Sequence, residues 1–244
     1  MCHSSFHLAL CRAIWDDGGN FSGKKKVNMK HPDGLWLLGL CWLGYFVLHS
    51  ALASLGVKRR VAARWPAFMP AYRLVFNLLA VVLLLPILVL TYALPGPDLW
   101  RWQGAAAWLA NGASLLALVG VALSARGYDM AEFLGIRQWR GQVRKVEDQE
   151  RFHLSAFHRH VRHPWYFCAL VLIWSRDMTA ATLLSSILLT LYFVIGARLE
   201  ENKLLAYHGE RYRRYMEKVP GLVPLPWKRL SRRDAERLLD DNLP

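Results

Sequence analysis

Apolar runs long enough to cross a bilayer recur along this chain, each set off from the next by a short polar or basic stretch. A helix rises about 1.5 Å per residue, so the roughly 30 Å hydrocarbon core takes about 20 residues. Residues 35–55, 72–94 and 105–125 meet that length. The second run contains Pro86, which a membrane helix tolerates where its neighbours supply hydrogen-bond partners. The third is built of Ala, Gly, Ser and Leu, and its small residues predict close packing on both sides. Two later runs, 165–174 and 180–197, flank the polar stretch Ser175-Arg176-Asp177-Met178-Thr179 and read as a tight helical hairpin. Its first arm is short for a span unless it is tilted or extended by its flanks. The expected fold class is therefore all-α: an integral membrane helical bundle of about five transmembrane helices, with the C-terminal hairpin followed by amphipathic helices at the membrane edge.

Composition supports this reading, because 54% hydrophobic residues exceed what a soluble core usually needs. The net charge of +13 is concentrated between the apolar runs. The basic residues flank those runs and form no groove-sized helix of their own, which argues against a nucleic-acid partner and for the lipid bilayer. Lys58, Arg59, Arg60 and Arg64 follow the first run, whereas Arg101 alone lies between the second and third. The positive-inside rule thus puts the loop after the first run, the central loop and the C-terminus in the cytoplasm, as for a bacterial inner-membrane protein. Cys2, Cys11, Cys41 and Cys168 have no CxxC spacing and imply neither a disulfide framework nor a zinc site.

Residues 1–30 are polar and Gly-rich, end near Lys24-Lys25-Lys26, and read as a disordered extension. The lysines oppose the orientation above, and Met29-Lys30-His31-Pro32 runs directly into the first apolar run, so the natural start is expected at Met29.

Two stretches could carry chemistry. In His158-Arg159-His160-Val161-Arg162-His163-Pro164-Trp165-Tyr166, Pro164 marks a helix start, since its missing amide hydrogen would be unsatisfied there anyway. Imidazole and guanidinium groups beside helix N-terminal amides suit an anionic group, either of a bound ligand or of the lipid headgroups. The three histidines could converge, but no acidic or Cys ligand accompanies them at zinc-like spacing, so no metal is expected. In Arg198-Leu199-Glu200-Glu201, two carboxylates close the fifth apolar run against the preference of a helix C-terminus for cations. Ionisable groups at membrane depth tend to be functional. His49-Ser50 and Tyr72-Arg73-Leu74 carry no motif that translates into chemistry.

Arg162-His163-Pro164-Trp165-Tyr166, the apolar hairpin, Arg198-Leu199-Glu200-Glu201 with Leu204, Gly209-Glu210-Arg211-Tyr212 with Tyr215, and Val219-Pro220 with Pro224 together resemble the C-terminal signature of the isoprenylcysteine carboxyl methyltransferases and their bacterial relatives. The resemblance covers about residues 150–226. Trp174, Met178-Thr179, the Glu pair and His208-Gly209 are most similar to the bacterial small-thiol methyltransferases, of the methanethiol S-methyltransferase kind. It implies an S-adenosylmethionine-dependent methyltransferase whose cofactor is held by His163, Tyr166, Glu200 and Glu201. The acceptor would be a small lipophilic or membrane-associated thiol or carboxylate that enters from the lipid. If the acceptor is a thiol, Arg162 and Arg198 would be the catalytic cations that lower its pKa. On this reading residues 31–125 form a three-helix membrane region and 126–244 the cofactor-binding region. Relatives have Gly shortly before the Arg-His-Pro, where Ser155-Ala156-Phe157 stands here, so a changed loop is expected.

Two rivals remain. Sterol reductases that use NADPH share the Arg-His-Pro-x-Tyr pattern, but they favour Asn before the Tyr and Gly-Glu after it, where Trp165 and Phe167-Cys168 stand here. A non-enzymatic accessory protein of the same fold would have lost the motif His or carboxylates, and both are present. Small faces around Gly112 and Gly120 leave the oligomeric state open.

Overall fold

The computed structural model of the chain describes residues 31–126, 129–141 and 154–239. The extension expected over residues 1–30 and the start at Met29 lie outside them. Helix α1 (His31–Ala53) leads into the short basic helix α2 (Leu55–Arg64), and a 3-10 turn (Pro66–Phe68) enters α3 (Met69–Ala93), which runs unbroken through Pro86. Strand β1 (Asp98–Trp100) precedes α4 (Gly104–Ala125), and two short helices follow, α5 (Met130–Leu134) and α6 (Ile136–Trp139). A 3-10 turn (Phe157–Arg159) then introduces α7 (Pro164–Trp174), β2 (Met178–Thr179), α8 (Ala180–Lys218) and α9 (Arg232–Leu239).

Four of these helices are long and apolar enough to cross a membrane, and α7 is a shorter apolar fifth. The side chains they leave bare, such as Trp108 at 82% and Trp36 at 75% exposure, would be ruinous in water and suit lipid. The chain is an integral membrane helical bundle. Small residues on α4 do not pack on both sides as expected. Gly120 faces α7, where a Cβ would sit 3.2 Å from the Cys168 sulfur, whereas a Cβ on Gly112 would meet nothing within 4 Å and Leu115, on the far side, is exposed.

Helix α7 has 11 residues, about 16 Å of rise, roughly half the hydrocarbon core. The structure shows how so short an arm is accommodated. At its far end Ser175 Oγ lies 2.5 Å from Ser114 Oγ in the middle of α4, and Arg176 hydrogen-bonds Asn111 and Ser114. Strand β2 pairs antiparallel with β1, Asp98 opposite Thr179 and Trp100 opposite Met178. The first amides of α8 are satisfied by the same loop: Ala180 and Ala181 donate to the carbonyls of Pro97 and Pro95, both at 3.0 Å. Thr179 and Thr182 close a capping box around that helix start. A polar turn inside an apolar slab is thus tied at every point to its neighbours, as a low-dielectric surround requires.

At the opposite end, α5 and α6 are held under α3. Arg73 Nε and Asn77 Nδ2 donate to the Phe133 carbonyl at 3.0 and 3.1 Å, which accounts for a stretch with no chemical motif. Gly135 between these helices has φ +90°, and a Cβ there would lie 2.6 Å from the Leu74 amide nitrogen. Neither the backbone angle nor the space admits a side chain. Gly135→Ala should therefore cost about 2 kcal/mol or more and lower the melting temperature of the detergent-solubilised protein by several degrees. A melting curve superimposable on wild type would disprove this close approach.

Candidate active site

Helix α8 is 39 residues long, about 58 Å, so its second half must leave the bilayer. Glu200 and Glu201 lie about 30 Å from its start, where the hydrocarbon ends. Beyond them the helix breaks at Gly209, whose φ of 51° and ψ of −128° belong to a region that residues with a Cβ avoid. The break turns Tyr212 and Tyr215 back under the motif stretch. There they form a small core with Val219, Leu230 and Ala235. Tyr215 donates to the His158 carbonyl at 2.7 Å, and Leu230 N–H donates to the Arg159 carbonyl at 2.8 Å.

This core presents the 219–221 segment edge-on to the motif. The Arg162 amide donates to the Pro220 carbonyl at 2.9 Å, and that of His163 to the Gly221 carbonyl at 3.1 Å. Arg162 then reaches inward with every nitrogen of its guanidinium engaged. Nε and Nη2 lie 2.8 Å from Glu201 Oε1, and Nη1 donates to the carbonyls of Met216, at 3.0 Å, and Val219. His163 stands at the N-cap position of α7, its side chain turned away from the helix amides to place Nε2 3.0 Å from Glu201 Oε1 and Nδ1 3.5 Å from Glu200 Oε2. Tyr166, one turn along α7, donates to Glu200 Oε2 at 3.3 Å. Its ring stacks on His163 at 5.3 Å and on Phe193 of α8 at 5.1 Å. Arg162, His163, Tyr166, Glu200 and Glu201, from segments some 40 residues apart, thus share one site.

Two expected residues part company here. Arg162 is spent on Glu201 and two carbonyls, whereas Arg198 is exposed and pairs with no carboxylate among the described residues. The carboxylates also differ, Glu201 being buried while the Glu200 side chain is 42% exposed. The loop that replaces the relatives' Gly takes an ordinary form. Ala156 is right-handed helical, and Ser155 hydrogen-bonds His158 Nδ1 at 2.8 Å. His158 and His163 therefore serve different partners. The sequence reading missed Phe193, although it lies seven residues before Glu200 and so on the same helix face. It also missed Gly221, where a Cβ would come within 3.2 Å of Arg162 Nη2.

Burial alone would lower the His163 pKa, but hydrogen bonds to Glu200 and Glu201 and the charges on them outweigh it and raise the value to about 9. His163 is thus an imidazolium at neutral pH, with both ring nitrogens donating. Because its folded pKa exceeds the ordinary 6.5, the stabilisation is complete below about pH 6.5 and is lost as pH rises through about 9. Melting temperature measured from pH 6 to 10 should fall across that window, by an amount on the order of 3 kcal/mol in unfolding free energy. His163→Gln should be less stable at pH 6 and nearly flat over the same range. Parallel curves for the two proteins would contradict the assignment.

No protein-family model matches the chain, and no solved structure matches it. Curated relatives do. It is 30% identical over 214 residues to methanethiol S-methyltransferase 2 of Bradyrhizobium diazoefficiens, covering 84% of this chain and 81% of the relative. It is 33% identical over 209 residues to the methanethiol S-methyltransferase of Mycobacterium tuberculosis, covering 78% of each. A Pseudomonas methanethiol S-methyltransferase is 32% identical over 191 residues, 72% of this chain and 68% of its own length. These matches run through the membrane helices as well as the motif region, and with that extent of identity the chain belongs to the methanethiol S-methyltransferase family, a group of membrane methyltransferases similar to the isoprenylcysteine carboxyl methyltransferases.

Proposed function

We propose that this protein transfers a methyl group from S-adenosylmethionine to a small lipophilic thiol, in a bacterial inner membrane with its C-terminus in the cytoplasm. The observation that carries the reading is the wall made by Glu200 and the His163–Tyr166–Phe193 stack at the membrane edge, in a chain whose relatives bear that name. The donor set fits the cofactor. An exposed carboxylate suits an ammonium or ribose hydroxyls, and the aromatic faces suit an adenine ring or a sulfonium. The bound cofactor would supply the activated methyl group.

The chain's own residues hold and shield it. Glu201, locked by Arg162 and His163, sets the position of the α7 start against α8, and Glu200 and Tyr166 face the ligand from that platform. Arg162 is on this reading a positioning residue. Methyl transfer is an in-line displacement, so alignment and exclusion of water supply most of what the protein contributes. Lys58, Arg59, Arg60 and Arg64 lie on the same side of the bundle as the site, which supports a cytoplasmic cofactor and an acceptor arriving from the lipid.

Calorimetry on the purified protein tests this. Wild type should bind S-adenosylmethionine. Glu200→Gln should weaken that binding tenfold or more, about 1.4 kcal/mol, and lower the melting temperature less than Arg162→Lys does, because its half-exposed carboxylate supplies only part of the support for His163. Arg162→Lys should lower both affinity and melting temperature, since it strands the buried Glu201 charge. A folded wild-type protein that binds no S-adenosylmethionine would end this reading.

A further inference from the structure

Helices α1 and α8 run parallel, and their seam carries two polar contacts in the same register. Trp42 Nε1 donates to Ser185 Oγ at 2.9 Å, and His49 Nδ1 lies 2.8 Å from the Tyr192 hydroxyl. The first contact is sealed in the core with Leu38, Ile87 and Ala181. The second differs. His49 lies four residues from the end of the first span, where an ionisable group is costly unless it serves something. Its ring is packed by Tyr45 at 5.6 Å, Phe76 at 5.0 Å and Tyr192 at 6.1 Å, and Phe46 stacks on Tyr192 at 4.2 Å. Ser50 Oγ is 3.2 Å from the Tyr192 oxygen.

These contacts accommodate a tautomer with the proton on Nδ1. With Tyr192 donating to Ser50, the Tyr192 oxygen accepts from His49 Nδ1–H, and the Nε2 lone pair remains. Nε2 has no hydrogen-bond partner among the described residues and is not closed off from the surface. Phe193, next to Tyr192 on α8, stacks on Tyr166, so the pair and the site face neighbouring sectors of α8 about a quarter-turn apart.

Thiol methylation leaves a proton to be placed. A cysteine thiol titrates near about 8.5 in water, a simple alkanethiol is a weaker acid, and apolar surroundings disfavour the thiolate further, so at neutral pH the acceptor arrives protonated. Among the motif residues His163 already carries a proton and Arg162 is fully engaged, which leaves only Glu200, whose Oε2 already accepts from Tyr166 and faces His163 Nδ1. We propose that His49, oriented by Tyr192, forms the thiol end of the active site, binding a small thiol at Nε2 and taking its proton as the sulfur is methylated. The inference rests on the thiol-methyltransferase reading above. The S–H bond breaks as the proton passes to Nε2, and the sulfur electron pair forms the new S–CH3 bond. The methyl's old bond to the donor sulfonium breaks, leaving its electrons on that sulfur.

The test uses the full-length protein in detergent, with S-adenosylhomocysteine and methanethiol as probes. His49→Gln and Tyr192→Phe should bind S-adenosylhomocysteine within twofold of wild type. Calorimetric binding of methanethiol to the S-adenosylhomocysteine-loaded protein should weaken tenfold or more in His49→Gln. Its turnover should fall about 10²-fold, the usual scale of a lost general base, and the deficit should shrink as pH rises and the thiol ionises unaided. Tyr192→Phe keeps the ring against Phe46 and removes only the hydroxyl, so it decides the matter if His49→Gln folds poorly, with an expected turnover loss of about tenfold. Turnover within threefold of wild type in both variants would overturn the proposal. So would a turnover deficit that shrinks with rising pH in Glu200→Gln at saturating S-adenosylmethionine while His49→Gln turns over like wild type, which would move the proton to Glu200. Failure of wild type to bind S-adenosylhomocysteine is a separate result that removes the underlying reading and this inference with it.

Discussion

The buried carboxylate of Glu201 is the constraint around which the rest of this structure is arranged. A charge cannot stay buried at a membrane edge without partners, and here Arg162 and His163 supply them from a segment about 40 residues earlier. Their reach fixes the start of α7 against α8. The fully used guanidinium also draws in the carbonyls of Met216 and Val219, which orders the chain after the Gly209 break. One ion pair thus ties together three parts of the C-terminal half, and the neighbouring Glu200, held more loosely by Tyr166 and His163, keeps a partly exposed carboxylate at the site.

The shortness of α7 follows from the same geometry. An arm that must begin at the carboxylates and pack on α4 through Gly120 and Cys168 runs out in the middle of the slab. Its end then needs polar partners, and Ser114, Asn111 and the β1 loop provide them. The two ends of the hairpin are therefore pinned by different means, charge at one and hydrogen bonds at the other. Between them Tyr166 and Phe193 stack face to face.

Much of this was legible in the chain. Span lengths, the hairpin and the pairing of the Arg-His-Pro stretch with the Glu pair follow from hydropathy and from a motif whose members must meet. What escaped was whatever depends on distance in sequence without a local pattern. The β1–β2 ribbon consists of three residues after Pro-Gly-Pro and two before a helix, too short for alternation to register. The small residues of α4 showed that something packs closely, not that only one side does. Adjacency placed Arg162 beside the site, but only coordinates reveal that its donors are already taken. His49 and Tyr192 meet across 143 residues, and neither helix announces the other.

The charge arrangement also divides the chemistry. His163 held between two carboxylates is an imidazolium with its lone pair consumed, so it can orient and neutralise but not accept a proton at neutral pH. The same interactions that make the motif a stable platform remove it from proton transfer. On the proposed reading, the base for a protonated acceptor lies in surroundings without carboxylates that would fill its lone pair. The apolar seam between α1 and α8, with an imidazole oriented by a phenol, has that character, and it gives the N-terminal helices a reason to be present beyond anchoring the hairpin in lipid.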